Sequence, residues 1–533
     1  MRILTLLLIL FQLPQAPVSR PELPASMDGV VVDSVTKQPI GGAEIVVQSL
    51  SGHGSAVIVV TGNDGRFAFR NIPPGAYSIE ARRSGYIPEV AGTPFAGGNG
   101  PLNSLVPNNA PVIQQLAPGQ ALSEMRFALT PGGVITGRLR DDYGDAVVGA
   151  IVQALRTTYR NGTKERTLTQ SVISNDLGEY RFFMLKPGQY SIAVAPPTVY
   201  VPSVSPQTFS TPLFHPGTVD TKAATEFSLR IGETLEGVDF LSVPTRKRRI
   251  AGTVQGNGTE GVTIVLSPVN GTARKTVAIT SDNPNPNFQF LDILPGTYEL
   301  AASNVYGRAV VPVDVVNGDL IGARIYLGEG FRIPMRARVE GRPPGTDPQV
   351  EKLYFNVRPD VPVMGLEPQL YSPFADGRFI PEVLRRDYWI ELDTARSPDF
   401  YVKSITLDGA DILNQGLRVT SSVEGPVEIV VDTHFGEVQG AAAVPNVTIV
   451  LVPDAGRRNQ RALYRSVKSG NGVFRFEKVP PGEYKLFAWS EDTIENGGPW
   501  LDPEYLKTYE DRATPVRIQA ETKTVLDRPV PAF

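Results

Sequence analysis

His434 and Glu437, in the run His434-Phe435-Gly436-Glu437, have the spacing by which one segment offers two ligands to zinc, so metal-assisted hydrolysis is the first chemistry to weigh. A third ligand would have to follow downstream, and no His lies beyond position 434. The other two His, in Gly52-His53-Gly54 and Phe214-His215-Pro216-Gly217, stand alone in turn-like surroundings. Cys is absent, which removes thiolate nucleophiles, thiolate metal sites and disulfides together. No Gly-x-Ser-x-Gly elbow and no Gly-rich phosphate loop is present. Carboxylates are plentiful, yet nothing in their spacing singles out an acid and base pair for glycoside hydrolysis. The reading is therefore of a chain without catalytic residues, metal or cofactor.

Aromatic residues are the stronger lead. In Tyr484-Lys485-Leu486-Phe487-Ala488-Trp489 the period of two that turns Tyr484, Leu486 and Ala488 inward turns Phe487 and Trp489 to the opposite face. Trp500, Tyr505 and Tyr509 follow soon after, and Trp389 takes the same outward phase in its own strand. Such a cluster either stacks on a ligand such as a sugar ring or is covered by a neighbouring element. Residues 503–510 have the pattern of a short helix suited to covering. One sharp basic run, Arg246-Lys247-Arg248-Arg249, reads as a solvated linker. The net charge of −4 gives a nucleic-acid partner no electrostatic support.

The elements that must carry these residues repeat along the chain. Asp64-Gly65-Arg66-Phe67-Ala68-Phe69 leading to Pro73-Pro74-Gly75-Ala76-Tyr77 matches Asn471-Gly472-Val473-Phe474-Arg475-Phe476 leading to Pro480-Pro481-Gly482-Glu483-Tyr484, slot by slot. A third copy runs Leu177-Gly178-Glu179-Tyr180-Arg181-Phe182 to Pro187-Gly188-Gln189-Tyr190, and a fourth Asn287-Phe288-Gln289-Phe290 to Pro295-Gly296-Thr297-Tyr298. A degenerate fifth joins Asp376-Gly377-Arg378-Phe379 to Tyr388 without the Pro-Gly turn. The Asp-Gly or Asn-Gly step supplies a tight turn, aromatic-x-aromatic puts two rings on one face, and the second turn returns the chain as an alternating strand. Gly and Pro, 51 and 47 of 533 residues, punctuate these runs and form no low-complexity block. The pattern predicts an all-β array of about five small antiparallel Greek-key sandwiches. Each is expected to touch mainly its neighbours in the chain.

The run Gly29-Val30-Val31-Val32-Asp33, then Lys37-Gln38-Pro39-Ile40-Gly41-Gly42-Ala43-Glu44-Ile45-Val46-Val47, then Asn63 to Phe67 and Pro73 to Tyr77, resembles the carboxypeptidase regulatory-like domain. The likeness is strong over 27–84 and 130–195, fair over 247–303 and 436–489, and weak over 330–432. It implies a transthyretin-like or prealbumin-like sandwich, grouped with carbohydrate-binding-like and collagen-adhesin B-type modules, and implies no peptidase activity. Adhesin modules of related fold can carry a Lys–Asn cross-link. The first strands here hold no Lys in the required slot, so an uncrosslinked sandwich is expected.

The expected division is a signal peptide over 1–20 and five repeats over 27–128, 129–244, 245–329, 330–432 and 433–533. Met1-Arg2 before the apolar stretch 3–13, closed by Pro14 and Pro17, has the form of an export signal and is too short to span a bilayer. No membrane span is expected after its removal, which places the protein in periplasm, cell surface or medium. Long Pro-, Gly- and Ser-rich connections at 88–124 and 196–224, with Phe95, Tyr200, Phe209 and Phe214, are further places for binding. The function read from all this is a secreted, non-catalytic β-sandwich scaffold or binding protein whose partner is an extracellular polysaccharide or another envelope protein. Carbohydrate binding through the C-terminal aromatics and an unrecognised hydrolase within 330–432 are the alternatives.

Overall fold

A computed structural model describes residues 23–50, 56–90, 114–160, 162–195, 211–244, 246–256, 258–269, 275–279, 286–316, 318–340, 350–360, 369–421, 423, 425–490 and 498–533. Strand dominates them. The α-helix they contain is the single turn Pro503–Lys507.

The first sandwich shows the plan. One sheet orders Arg66–Ile72, Ala25–Asp33, Ala121–Pro131 and Tyr86–Ile87, and the other orders Val57–Val60, Glu44–Ser49, Gly75–Arg82 and Glu89–Val90. The same order recurs in the second sandwich, with Glu179–Leu185 beside Gly133–Asp141 and Thr163–Ile173, Ile151–Arg160 and Gly188–Ala195 opposite. In the fifth, Val473–Val479, Gly436–Ala441 and Lys523–Val525 face Arg465–Ser469, Val447–Pro453, Gly482–Ser490 and Thr514–Ile518. The third and fourth follow it as well, the fourth with its aromatic strand cut to Arg378–Phe379.

One departure from purely antiparallel sheets recurs in every sandwich. The first strand pairs in parallel with the last, as Ala25–Asp33 does with Ala121–Pro131 and Met335–Val339 with Val427–Asp432. The same holds for Gly133–Asp141 with Phe240–Val243, Arg248–Gly256 with Leu320–Leu327 and Gly436–Ala441 with Lys523–Val525. A parallel neighbour needs a crossover connection, and here the opposite sheet is that crossover. Because Ala121–Pro131 runs through position 128, the first sandwich closes at Pro131, where the chain parts into two compact units.

Period-two burial holds as the sequence predicts. Phe67, Phe69 and Tyr77 are buried while Arg66, Ala68 and Arg70 are exposed, and Phe474, Phe476 and Tyr484 repeat this against Val473, Arg475 and Glu477. The anchoring tyrosines do more than fill space. The hydroxyls of Tyr77, Tyr190, Tyr298 and Tyr484 each donate to the carbonyl four residues back, on Pro73, Lys186, Leu294 and Pro480, all at 2.8 Å. The ring therefore sits in the core while its polar tip ties down the Pro-Gly turn. In the degenerate repeat, Tyr388 accepts from the Leu384 N–H instead, at 2.9 Å.

Six residues before those four tyrosines, Asn71, Met184, Asp292 and Lys478 adopt φ of 50 to 61°. Each lies where the pairing of the aromatic strand with the first strand shifts register. This is a recurrent bulge, which adds twist where a small sheet must wrap its core.

The central glycine of the first strand is a second packing device. A Cβ on Gly252 would sit 2.0 Å from the Ala323 carbonyl oxygen and 2.8 Å from Cζ of Phe288, so the last strand and the first aromatic both press on the bare backbone. Gly137 is enclosed in the same way by Val238 and Tyr180. Gly252→Ala is expected to lower stability by about 1–3 kcal/mol, because backbone and not a flexible side chain must yield. Denaturant melts of the variant and the parent check this, and equal midpoints would contradict it.

Within the unit 132–533 the cores of the second and third sandwiches form one continuous cluster, from Ile135 to Leu327. Contacts also skip along the chain. The hairpin of Ile151–Arg160 and Thr163–Ile173 reaches the fifth sandwich, where the Tyr159 hydroxyl donates to Asp502 at 2.8 Å and its ring meets Tyr505. Contact between chain neighbours alone, as expected from the repeats, does not describe this unit. The second hairpin is long enough to pass beyond its own sheet.

Candidate functional site

The C-terminal aromatics are assembled as a core. Trp489 and Phe487 are both 0% exposed, with rings stacked 5.3 Å apart at 3°. Tyr509, Tyr505 and Phe533 close on Trp489 at 5.5, 5.9 and 5.7 Å, and Trp500 stacks at 6.4 Å. What covers them is the segment from Pro499–Leu501 through the helix Pro503–Lys507, which buries Leu506 in the same cluster. Asp502 caps that helix by accepting from the Glu504 N–H at 3.0 Å, and Pro503 opens it. As ligand-stacking candidates Phe487 and Trp489 are therefore corrected: outward phase on a strand set their face, and the lid then removed that face from solvent. Trp500, Tyr505 and Tyr509 remain half-buried as parts of the lid.

Trp389 is elsewhere. It is half-buried, and its indole N–H donates to Asp360 at 2.7 Å. The cavity beside it, between the fourth and fifth sandwiches, holds about 40 Å³, enough for a water or two and not for a sugar.

His434 and Glu437 are each committed to separate partners. Glu437 pairs with Arg475 at 2.9 Å, across to the aromatic strand. His434 Nδ1 lies 2.6 Å from Oδ1 of Asp432, a buried carboxylate that also accepts the backbone N–H groups of Thr433 and His434. Lys403 approaches Asp432 at 3.5 Å and Glu340 at 3.2 Å. Beside them the ring of Phe435 meets Tyr401 at 5.0 Å. The Asp432–His434 pair has the form of an oriented base. The pair forms a local clasp at the joint between two sandwiches, and no hydrogen bond among the described residues joins His434 to a hydroxyl nucleophile. Sequence reasoning looked three residues downstream of His434, whereas the partner was two residues upstream.

Burial acts to raise the Asp432 carboxyl, but hydrogen bonds from His434, Thr433 and Tyr401 outweigh it and hold it at about 2. The His434 imidazole is raised by its bond to Asp432. The signs are opposite. His434 contributes its stability fully below the unfolded value near 6.5 and loses it as pH rises through its raised folded value; Asp432 contributes above its unfolded value and loses it only toward pH 2. NMR titration should show His434 above 6.5, returning toward 6.5 in Asp432→Asn. An unshifted His434 in the parent would contradict the clasp.

The remaining sequence leads are resolved individually. His215 is wedged edge-on between Phe227 and Phe240 at 5.1 and 5.3 Å, and burial lowers it. Phe214, read as an exposed loop aromatic, is buried, because Leu213–Phe214 adds a short strand to Gly188–Ala195. In the first long connection, Gln114–Leu116 and residues from 121 onward are likewise strand. The basic run is not a free linker: Arg248 opens the strand Arg248–Gly256, Arg249 pairs with Asp319 at 3.7 Å and Lys247 with Asp292 at 3.9 Å. His53, Phe95, Tyr200, Phe209 and the segment 1–20 lie outside the described residues. Among the described residues no group of three His, Cys, Asp or Glu side chains could hold a metal ion.

No curated protein matches the chain. Among solved structures, the Bacillus anthracis TIE protein aligns over 58% of this chain and 51% of its own at 13% identity and TM-score 0.16, so the chain spans about half of that structure. A streptococcal ancillary pilin aligns over 57% and 99% at 10% identity and TM-score 0.21. Two B repeat units of the collagen binding protein of Staphylococcus aureus align over 78% and 100% at 10% identity and TM-score 0.15. Residues 26–103 match the family model described as the carboxypeptidase regulatory-like domain. The strand order makes the chain an all-β array of sandwich repeats, of which residues 26–103 are similar to the carboxypeptidase regulatory-like domain.

Proposed function

We propose that this protein is an exported, non-catalytic β-sandwich scaffold that binds an extracellular partner, built from five segments of which the first closes at Pro131 and the others span about 132–244, 245–329, 330–432 and 433–533. The observation that carries this reading is how the chemically capable side chains are spent. His434 is held by Asp432 within the connection between two sandwiches, while Glu437 is held by Arg475 and His215 by two phenyl rings in contacts that join separate strands. In region 330–432, where an unrecognised hydrolase would have to lie, the described residues form two main sheets and a two-stranded ribbon around a core of Phe355, Phe379, Tyr388 and Ile429. No helix among the described residues is long and apolar enough to cross a membrane.

The test is to express the whole chain with its own leader, fractionate the cells, and assay the purified product against peptide, ester and glycoside substrates. Recovery outside the cytoplasm without turnover supports the scaffold. Turnover abolished by one substitution within 330–432 would replace it with an enzyme.

A further inference from the structure

Between the third and fourth sandwiches lies an open cleft of about 940 Å³, within the size range of ligand sites. Its floor is the edge strand Arg308–Val315 and the outward phase of Leu320–Leu327. In the latter strand Ile325 and Leu327 go to the core, so Arg324 and Tyr326 face out, Tyr326 with 59% of its surface exposed. The far wall is the turn that ends at Asp387, where the Arg385 guanidinium lies over the Phe331 ring at 5.5 Å. Arg386 anchors this wall to the third sandwich through a shielded ion pair with Glu299.

The charges in the cleft are unevenly committed. Arg308, Arg324, Arg385 and Lys222 line it with exposed head groups and have no ion-pair partner among the described residues. Of the four acids in the lining, Glu299 is taken by Arg386, Asp387 by Arg418 at 3.1 Å, and Asp360 by the Trp389 N–H. Glu329 alone is uncommitted among the described residues. The cations are distributed over two strands and two turns and do not converge on one point, which suits several acid groups in a row. An extended peptide added to the sheet edge is disfavoured, because Pro312 in the middle of the edge strand lacks the N–H that strand addition uses. A flat exposed tyrosine ring among guanidinium forks suits a sugar ring bearing a carboxylate.

We propose that this cleft binds an acidic polysaccharide of the uronate type, with Arg308, Arg324 and Arg385 pairing its carboxylates and Tyr326 stacking on a ring. This deepens the scaffold reading and rests on it.

The experiment is isothermal titration calorimetry of the full chain with hexagalacturonate, its fully methyl-esterified form, and hexaglutamate, with reducing-end release followed in parallel. The acid sugar should bind, weaken with added salt, and lose about tenfold in affinity in Arg324→Ala and again in Tyr326→Ala. The neutral ester should not bind. The fold of each variant is checked by its melt, and Arg70→Ala, an exposed cation outside the cleft, should leave affinity unchanged. Absence of binding to the acid sugar, equal binding of the ester, stronger binding of hexaglutamate, or unchanged affinity in both cleft variants would each overturn the proposal. Release of new reducing ends would overturn the non-catalytic scaffold itself, whereas absence of binding without release leaves that scaffold standing.

Discussion

Phe474→Ala is expected to destabilise the fifth sandwich by about 3–5 kcal/mol, through lost transfer energy and the cavity left behind. Phe474 is 3% exposed, packs on Phe476 at 5.6 Å, and presses on the bare Gly440 of the first strand. The ring thus packs on its own strand and on the first strand of its sheet. A small domain has about 5–15 kcal/mol in all, so the substitution removes a large share of that stability. The neighbouring Arg475, half-exposed and paired with Glu437 and Glu477, should tolerate Ala within about 0.5 kcal/mol. Two of the three Trp, at 489 and 500, report on this sandwich, so fluorescence-detected urea melts separate the two variants. A Phe474→Ala protein that melts with the parent, or an Arg475→Ala protein that does not, would reverse the assignment of faces.

Trp489→Ala should cost a similar amount, about 3–5 kcal/mol, with a different distribution. Trp489 lies on the outer face of Gly482–Ser490 and belongs to the cluster of Phe487, Leu506 and Tyr464, while Leu486 and Ala488 on the inner face belong to the sandwich core. Its loss should therefore release the lid before it opens the sandwich. Hydrogen exchange should show protection falling first in 499–512 and in the tip of the second-sandwich hairpin, which is held by Asp502 and Tyr505. Val447–Pro453 should keep its protection longer. Trp489→Phe should recover most of the loss, because the indole N–H is buried without a hydrogen-bond partner and a phenyl ring gives up none. Unchanged exchange in 499–512 for Trp489→Ala would show that the lid stands without it.

The faces of the strands were legible in the sequence because they depend on a local rule. Successive side chains alternate, so Phe67, Phe69 and Tyr77, or Phe474, Phe476 and Tyr484, declare their common side within a few residues of one another. The turns were legible for the same reason, since Asp-Gly and Pro-Gly carry their own conformational preferences. Alternation also placed Phe487 and Trp489 correctly on the outer face. Whether that face is wet was a tertiary matter, decided by a helix that begins at Pro503 and folds back over them.

The parallel pairing of first and last strands, the clasp of His434 on Asp432 and the contact of Tyr159 with Asp502 across 343 positions leave no periodic trace. The recurrent bulge at Asn71, Met184, Asp292 and Lys478 has no common residue type, because the strain is local and sheet closure imposes it. The cleft arises in the same way. Arg308, Arg324 and Arg385 are scattered polar positions along the chain, and they share one space where a turn of the fourth sandwich, tied by the Glu299–Arg386 ion pair, lies against the edge of the third. A repeating sequence determines each sandwich through short-range alternation, whereas what the sandwiches cover or leave open depends on contacts among residues that no local pattern relates.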